Sequence, residues 1–360
     1  MGAAAWTPPD DVLTRPAPPP DLVIRYGTGP EHVADVRLPK RRTGAAVQPA
    51  PLVIFLHGGF WRSAYDRSHT GPMAAALAAA GYAVCVPEFR RTGQPGGGWP
   101  GTFDDVAAAV DLSPALVREA AAPGVIADGP ALLSGHSAGG HLALWAAGRH
   151  LLGPDSAWRS ATGARGVVVL AGVSGLADCY DQDLGSGAAA ALMGGGPADF
   201  PQRYRDADPA VLLPLGCPVR LVHGSLDDVV PAAMSRNYAA IGRAAGDDTA
   251  ATEVPGASHV DLIDPLSPAW PYVMALSKPW PRRPHRRRPN REERVGWELT
   301  RWRTRPGNFG TAPVGVYARL ADVPVRWELA RPLDHTRSGR PTLRRPAVCP
   351  LSSVGRASPW

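Results

Sequence analysis

The sequence predicts an α/β protein with a mostly parallel central sheet and helices on both faces. Short apolar runs alternate along the chain with longer Ala/Leu-rich segments, and such alternation of strands and helices is typical of parallel sheets. Some runs, such as Leu52–Leu56, are apolar at every position, which indicates strands covered on both faces. The chain has 360 residues, of which 44% are hydrophobic, so it can fill a core of this kind.

The expected elements follow from these patterns in chain order. Strands are expected at the short β-rich or apolar runs over residues 21–26, 32–38, 52–56, 82–86, 131–133, 167–170, 219–222 and 252–254. Helices are expected over the Ala/Leu-rich segment that ends at Gly81, over residues 103–121, after Ala138, and over residues 231–245 and 268–277. The sequence contains no internal repeat.

Two segments flank this domain, which we place at residues 23–277. Residues 1–22 are rich in Pro and Ala and cannot propagate a helix or a ladder, so we predict an extended, mobile N-terminal arm. Residues 278–360 hold 19 of the 38 Lys and Arg residues but 6 of the 32 Asp and Glu residues, a net charge of +13 against −7 for the rest. They contain 12 prolines and no apolar periodicity. Burial there cannot offset an ordering entropy of roughly 1–2 kcal/mol per residue, so we predict a disordered tail.

The same patterns exclude several classes of protein. The longest near-apolar run, residues 73–87, is interrupted by Gly81 and is too short to cross a bilayer. The N-terminus shows neither a basic n-region nor an apolar h-region, so we predict a cytoplasmic protein. The four cysteines show no paired spacing, which argues against a disulfide framework and a zinc site. We expect no cofactor and no metal ion.

A nucleophile elbow is indicated by residues 135–140, Gly-His-Ser-Ala-Gly-Gly. These residues follow the apolar strand at 131–133 and open an Ala/Leu-rich helix, which is the context that such an elbow requires. The turn needs small residues because side chains there would collide with neighbouring backbone. Ser137 is therefore the expected nucleophile; the alternative is a Gly-rich turn with an idle serine.

The second motif, His-Gly-Gly-Phe-Trp at residues 57–61, directly follows the buried strand at 52–56. Glycines at this point let backbone N–H groups approach a developing alkoxide. We expect the N–H groups of Gly58, Gly59 and Phe60, together with that of Ala138, to form an oxyanion hole, in which each donor contributes about 2.7–4 kcal/mol at the transition state. The alternative is a plain turn with core aromatics.

A serine needs a base and an orienting acid, and both follow it in the order Ser, Asp, His. The strand at 219–222 runs into a loop that carries Asp227, our choice for the acid, and Asp228, its competitor, which could instead flank the helix that begins near Pro231. His259 lies in the loop after the last strand and is the expected general base.

Together the four motifs, HGGFW, GHSAGGHL, HGSLDDVVP and SHVDLIDP, resemble the α/β-hydrolases of the kynurenine formamidase (arylformamidase) group over about residues 23–277. The resemblance implies an α/β-hydrolase fold and hydrolysis of an aryl formamide such as N-formylkynurenine, in tryptophan catabolism, by a Ser-Asp-His triad without a cofactor. A general short-chain carboxylesterase is the alternative, because fold and triad do not choose between C–N and C–O bonds.

The expected partner is therefore a small-molecule substrate, with no role for a membrane. Trp61, His136 and Trp99 are the candidate substrate-binding residues, and residues 93–105 and 175–206 are candidate walls of the pocket.

Two other classes of function are nucleic-acid binding and an inactive hydrolase scaffold. The basic tail carries several tryptophans among its arginines and could bind nucleic acid or another anionic surface. The acidic domain and the lack of a nucleic-acid-binding signature argue against that interpretation. An inactive hydrolase scaffold would be expected to lack a member of the triad, and none is missing here.

We expect a chain truncated after Ser277 to keep its activity, because the fold is complete once the helix after the histidine loop has formed. The measurements are kcat/KM for an activated short-chain ester and the thermal midpoint, each compared with the full chain. A loss of more than about tenfold in kcat/KM would show that the tail contributes to the site.

Overall fold

Eight strands form one sheet in the computed structural model, which describes residues 11–40, 48–161 and 163–276. In chain order the strands are β1 (Leu22–Arg25), β2 (Val33–Arg37), β3 (Leu52–Leu56), β4 (Ala83–Pro87), β5 (Leu132–His136), β6 (Gly166–Leu170), β7 (Val219–Gly224) and β8 (Thr249–Val254). Across the sheet the order is β1-β2-β4-β3-β5-β6-β7-β8. The pairs β1–β2 and β2–β4 are antiparallel and the other neighbouring pairs are parallel. The predicted fold class is confirmed.

The α-helices of the described residues connect and cover these strands. They are α1 (Gly71–Ala79), α2 (Gly101–Ala120), α3 (Ala138–Gly148), α4 (Leu176–Asp181), α5 (Ala188–Met193), α6 (Pro201–Ala207), α7 (Ala232–Ala244) and α8 (Trp270–Leu276). Helix α3 packs against β3, β5 and β6, α2 packs against β1, β4 and α3, and α7 packs against β7 and β8. None of these helices has the length and hydropathy that a bilayer-spanning segment needs.

The centre of the sheet is covered on both faces. Strands β3, β4, β5 and β6 are buried at every position, which confirms the interpretation of their continuous apolar runs. Helix α3 is also buried along its whole length. Such a helix needs small residues to approach the sheet, and a Cβ added at Gly140 would lie 2.9 Å from the Cα of Gly172. Burying one large aliphatic side chain contributes about 1.5–3 kcal/mol, so this layer contributes much of the fold's stability.

Two strands continue beyond the carboxyl ends of their predicted runs, and β8 begins at Thr249 instead of the predicted residue 252. Strand β5 continues through Ser134 to His136, which pairs with Leu170 of β6, and β7 continues through His223 to Gly224. The predicted ends at residues 133 and 222 are therefore wrong, and His223 lies on a strand rather than in the loop. The reason is that ladder hydrogen bonds join backbone groups and do not depend on the polarity of the side chains.

Three short helices, α4, α5 and α6, were not predicted from the sequence. They lie in the segment at 175–206, which the sequence analysis treats as a wall of the pocket. Each has six or seven residues, too few to show a clear periodicity. The tail and residues 1–10 lie outside the described residues, so the statements made about them stay predictions.

The N-terminal arm makes specific contacts that the sequence did not indicate. Arg15 forms two hydrogen bonds with the carboxylate of Asp264, Nη1 to Oδ1 at 2.5 Å and Nη2 to Oδ2 at 2.9 Å. The Asp264 side chain is 1% exposed and that of Arg15 is 11% exposed. The side chain of Val12 is buried, and Arg37 donates to the carbonyl of Pro19. Residues 11–21 are thus attached to the domain, at the loop that follows His259.

Replacing Arg15 with Ala should lower the free energy of unfolding by about 3 kcal/mol, because it leaves a buried carboxylate without its partner. The measurement is urea denaturation of the variant and the unmodified chain. Arg25→Ala is the control, since Arg25 is an exposed residue of β1 that donates to a loop carbonyl, and it should change stability by roughly 0.5 kcal/mol or less. Equal effects of the two substitutions would contradict a specific role for the arm.

Candidate active site

The predicted site residues follow four parallel strands at the same edge of the sheet. The loop with Gly58 follows β3, Ser137 follows β5, Asp227 follows β7 and His259 follows β8. The carboxyl ends of parallel strands meet at one edge, where α/β proteins place their ligand sites. Because β3 is paired with β5, the loop with Gly58 lies beside the turn with Ser137. Because β7 is paired with β8, the loop with Asp227 lies beside the loop with His259.

Ser137 has a strained backbone at the strand-to-helix turn. Its φ is 54° and its ψ is −122°, a conformation that a non-glycine residue rarely adopts, and the residue is buried. Its N–H donates to the carbonyl of Leu170, and its carbonyl accepts from the N–H of Gly140. Cβ atoms at the flanking glycines would lie 2.1 Å from the Gly139 oxygen at Gly135 and 2.0 Å from the Leu56 oxygen at Gly139. Surrounding backbone therefore holds the serine in its turn.

Asp227 is held as a buried carboxylate by four donors. Its Oδ1 accepts the N–H groups of Val229 at 2.9 Å and Val230 at 2.8 Å. Its Oδ2 accepts from His259 Nδ1 at 2.7 Å and from His223 Nε2 at 3.0 Å. Burial by itself would raise the pKa of Asp227, but the hydrogen bonds from His223 and His259 outweigh it and lower the pKa well below its usual range. The competing residue, Asp228, is exposed.

His259 is fixed from two sides. Its Nδ1 donates to Asp227, which makes Nε2 the nitrogen without a proton in the neutral imidazole. Its carbonyl accepts a hydrogen bond of 3.0 Å from Nε2 of His136, whose ring centroid lies 4.6 Å from that of His259. Because His136 immediately precedes Ser137, this bond ties the histidine loop to the elbow. The structure thus joins Asp227 to His259 and ties the histidine loop to the residue that precedes Ser137.

His223 is the residue at this site that the sequence analysis gave no chemical role. It is fully buried on β7, with its Nδ1 2.8 Å from Ser235 Oγ and its Nε2 2.8 Å from the Val230 carbonyl. Since Nε2 faces only acceptors, it carries the proton and donates to Asp227. The signal available in the sequence was the i, i+4 spacing of His223 and Asp227, but that spacing has meaning only once the turn between them is known.

Two of the three predicted substrate-binding residues occupy other places. His136 is 2% exposed, and burial, followed by the charge of His259, lowers its pKa well below its usual range, so it is neutral and supports the base loop. Trp61 is 1% exposed and packs edge to face on His141 in the core. Trp99 is half-buried and packs on Trp158 at 4.7 Å between ring centroids. Only Trp99 keeps a surface that a ligand could reach.

The loop after β3 is shaped to present N–H groups. Gly59, Phe60 and Trp61 all have positive φ, at 110°, 48° and 56°, so the chain turns sharply directly after the strand. A Cβ at Gly58 would lie 3.1 Å from the Cβ of Ser137, which shows how close this loop is to the serine. Within the described residues, none of the four predicted donors, the N–H groups of Gly58, Gly59, Phe60 and Ala138, donates to a protein acceptor. They are available to a ligand, as an oxyanion hole requires.

The segment with α4, α5 and α6 lies over the same loop. A Cβ at Gly185 would be 2.6 Å from the ring of Phe60, and Arg62 donates to the carbonyl of Ser186 at 3.0 Å. At its other end the segment is tied to α3, since His141 and Trp145 donate to the carbonyls of Ala207 and Asp206. These contacts put the segment beside the site, where the sequence analysis expected a wall.

A model of the BD-FAE family matches residues 34–240 of the chain, which is more than half of it. The chain belongs to the BD-FAE family. This BD-FAE family member is 28% identical over 258 residues to the esterase LipC of Mycobacterium tuberculosis (strain ATCC 25618 / H37Rv). That match covers 67% of the chain and 60% of LipC, so the chain spans less than two thirds of this relative's length.

Two solved structures are similar to this BD-FAE family member in fold. A truncated form of a carbohydrate esterase from gut microbiota has a TM-score of 0.55 at 23% identity and covers 66% of the chain and 87% of its own. Thermogutta terrifontis esterase 2 phosphonylated by sarin has a TM-score of 0.55 at 18% identity, and the match covers 71% of the chain and 91% of the esterase. These likenesses show the α/β-hydrolase fold. The arylformamidase expectation receives no support from the relatives named here, since they are named esterases.

Replacing Asp227 with Asn should slow the labelling of Ser137 by a fluorophosphonate by about 10⁴-fold, the size of the effect of this substitution in a Ser-His-Asp triad. The amide would present its NH₂ group or hold the wrong tautomer of His259. Asp228→Asn is the matched control, because that carboxylate is exposed and one residue away. Labelling rates measured by mass spectrometry decide the matter, and an equal loss in both variants would contradict the assignment.

Proposed function

We propose that this BD-FAE family member is a serine hydrolase that cleaves carboxylic esters of small molecules. The observation that carries the proposal is the buried hydrogen bond from His259 Nδ1 to Asp227 Oδ2, next to a serine held in a strained elbow. Such a constellation converts a hydroxyl group into a nucleophile. Family membership and the names of the relatives support the same class of reaction.

In the first half of the reaction, Ser137 Oγ attacks the ester carbonyl while Nε2 of His259 accepts the hydroxyl proton. Asp227 keeps the Nδ1 proton of His259 in place and stabilises the imidazolium that forms. N–H groups of the predicted oxyanion hole, from among Gly58, Gly59, Phe60 and Ala138, donate to the carbonyl oxygen as it becomes an alkoxide. The tetrahedral intermediate then collapses, Nε2 gives its proton to the leaving alcohol, and an acyl group remains on Ser137.

In the second half, water enters and repeats the cycle. His259 takes a proton from the water, whose oxygen attacks the acyl carbon, and the carboxylic acid is released with the proton returned to Ser137. Every proton that moves is held by Ser137, His259, water or the leaving group, so these steps balance on the chain's own residues. Asp227, with its lowered pKa, stays ionised throughout.

The names of the relatives favour an ester over the aryl formamide that the motifs suggested. LipC, the carbohydrate esterase and esterase 2 are all named for ester substrates. The triad and oxyanion hole act on either bond, so the choice depends on the walls of the pocket. The wall beside Phe60, around Gly185, and half-buried Trp99 are the features of this chain that would select the acyl or alcohol part.

Parallel assays with p-nitrophenyl acetate and N-formylkynurenine test the proposal. We expect kcat/KM for the ester to exceed that for the formamide by about tenfold or more, and Ser137→Ala to reduce ester turnover by about 10³-fold or more. The thermal midpoint of Ser137→Ala serves as the control for folding. A formamide constant above the ester constant would restore the arylformamidase interpretation, and ester turnover retained by Ser137→Ala would overturn the assignment of the nucleophile.

A further inference from the structure

A buried charge network lies directly beneath the oxyanion loop. His57, the first residue of that loop, is fully buried, and its Nε2 lies 2.9 Å from Oε1 of Glu88, which follows β4. Its Nδ1 lies 2.9 Å from the carbonyl oxygen of Gly58. The mechanism above uses neither His57 nor Glu88. Both side chains are buried at the base of the loop.

The two partners of His57 determine its protonation. A carbonyl oxygen only accepts hydrogen bonds, so the contact with Gly58 requires a proton on Nδ1. The contact with Glu88 requires a proton on Nε2 as long as that carboxyl group is ionised. A neutral imidazole has one N–H group, whereas both nitrogens are donors in the imidazolium.

Glu88 is ionised because other donors saturate it. Its Oε1 also accepts the N–H of Phe89 at 3.1 Å and lies 3.3 Å from Nη2 of Arg91. Its Oε2 accepts the N–H of Arg67 at 3.0 Å. Burial would raise the pKa of Glu88, but the charge and hydrogen bond of His57, with the charge of Arg91, lower it below its usual range. A carboxylate surrounded by donors on both oxygens has no place for a proton of its own.

The other groups around His57 agree with a positive charge on its ring. His69 faces it edge-on at 5.8 Å between ring centroids, and burial, followed by the charge of His57, lowers the pKa of His69 to about 4. His69 is therefore neutral at neutral pH and does not compete for Glu88. Phe89 stacks on the other side of His57 at 4.4 Å. Asp66 carries a negative charge and favours the imidazolium, and the positive charges nearby, on Arg67 and Arg91, are themselves paired with Glu88.

We propose that His57 is an imidazolium that polarises the Gly58–Gly59 peptide, and that Glu88 is a positioning residue for the oxyanion hole because it holds that charge in place. The carbonyl of this peptide accepts the proton on Nδ1, and its N–H is that of Gly59, a predicted oxyanion donor. A hydrogen bond to the carbonyl end of a peptide strengthens the N–H end as a donor. The inference rests on the proposed function, since it assigns a role within the same reaction.

Nuclear magnetic resonance of the ¹⁵N-labelled chain tests the charge without any substrate. The stacked ring of Phe89 allows the His57 signals to be assigned through space without a substitution. We expect both ring nitrogens to show the chemical shifts of N–H groups at neutral pH, as the contacts with Gly58 and Glu88 require. A single protonated nitrogen at neutral pH would overturn the inference whatever the enzyme's activity, so its failure is distinguishable from failure of the proposed function.

Kinetics of Glu88→Gln test the consequence. The amide keeps the shape and an acceptor for Nε2 but removes the charge, so kcat for the ester should fall by about tenfold to a hundredfold while KM stays within about twofold. The affinity for a trifluoromethyl ketone, which forms an oxyanion on Ser137, should fall by a similar factor. Glu88→Asp, which keeps the charge, should restore part of the loss.

Asp247→Asn is the control for a general loss of stability. Asp247 is also a buried carboxylate that accepts two backbone N–H groups, those of Leu215 and Gly216, but it lies at the opposite edge of the sheet. The Asp247→Asn substitution should lower the thermal midpoint without changing kcat by more than about twofold. If a folded Glu88→Gln variant keeps kcat within about twofold, the positioning role is wrong; if that variant does not fold, Glu88→Asp and the protonation state of His57 decide the matter.

Discussion

The hydrogen bond between His259 Nδ1 and Asp227 Oδ2 is the contact on which the rest of the site depends. It joins the loops after two adjacent parallel strands and sets which nitrogen of His259 would accept a proton in the proposed reaction. The carboxylate can be buried only because His223 and two backbone N–H groups also donate to it. Without these donors, burying the charged carboxylate of Asp227 would destabilise the fold. The acid loop must therefore be folded for Asp227 to bond His259.

The second constraint is the close approach of backbone segments around Ser137. The elbow after β5 and the oxyanion loop after β3 come together because Gly135 and Gly139 leave no side chain between them and neighbouring carbonyls. The same closeness buries α3 on all sides and holds Ser137 at a positive φ. The strain at one residue is maintained by the packing of a whole layer, as is common at functional sites.

Charged groups from distant parts of the chain support this edge of the sheet from outside the triad. Glu88 lies beneath the oxyanion loop, and Arg15 reaches the loop that follows His259 from the N-terminal arm. In the proposed reaction the triad and its donors set the chemistry, whereas the segment at 175–206 and Trp99 are the candidate walls that would select the substrate. That division explains why family membership and geometry both support the proposed ester hydrolysis, while the choice of acyl and alcohol groups depends on the pocket.

The sequence by itself determined the fold class, the order of the strands along the chain and the identity of Ser137, Asp227 and His259 as candidates, because apolar periodicity and glycine spacing are local properties. Only the tertiary structure showed that His259 bonds Asp227 and that Asp228 is exposed, that His136 and Trp61 are buried, and that Glu88 and Arg15 make buried contacts. Those outcomes depend on contacts between residues that lie 31 to 249 positions apart in the sequence. No local pattern encodes such a meeting, since the sheet order and the packing of α3 bring the partners together.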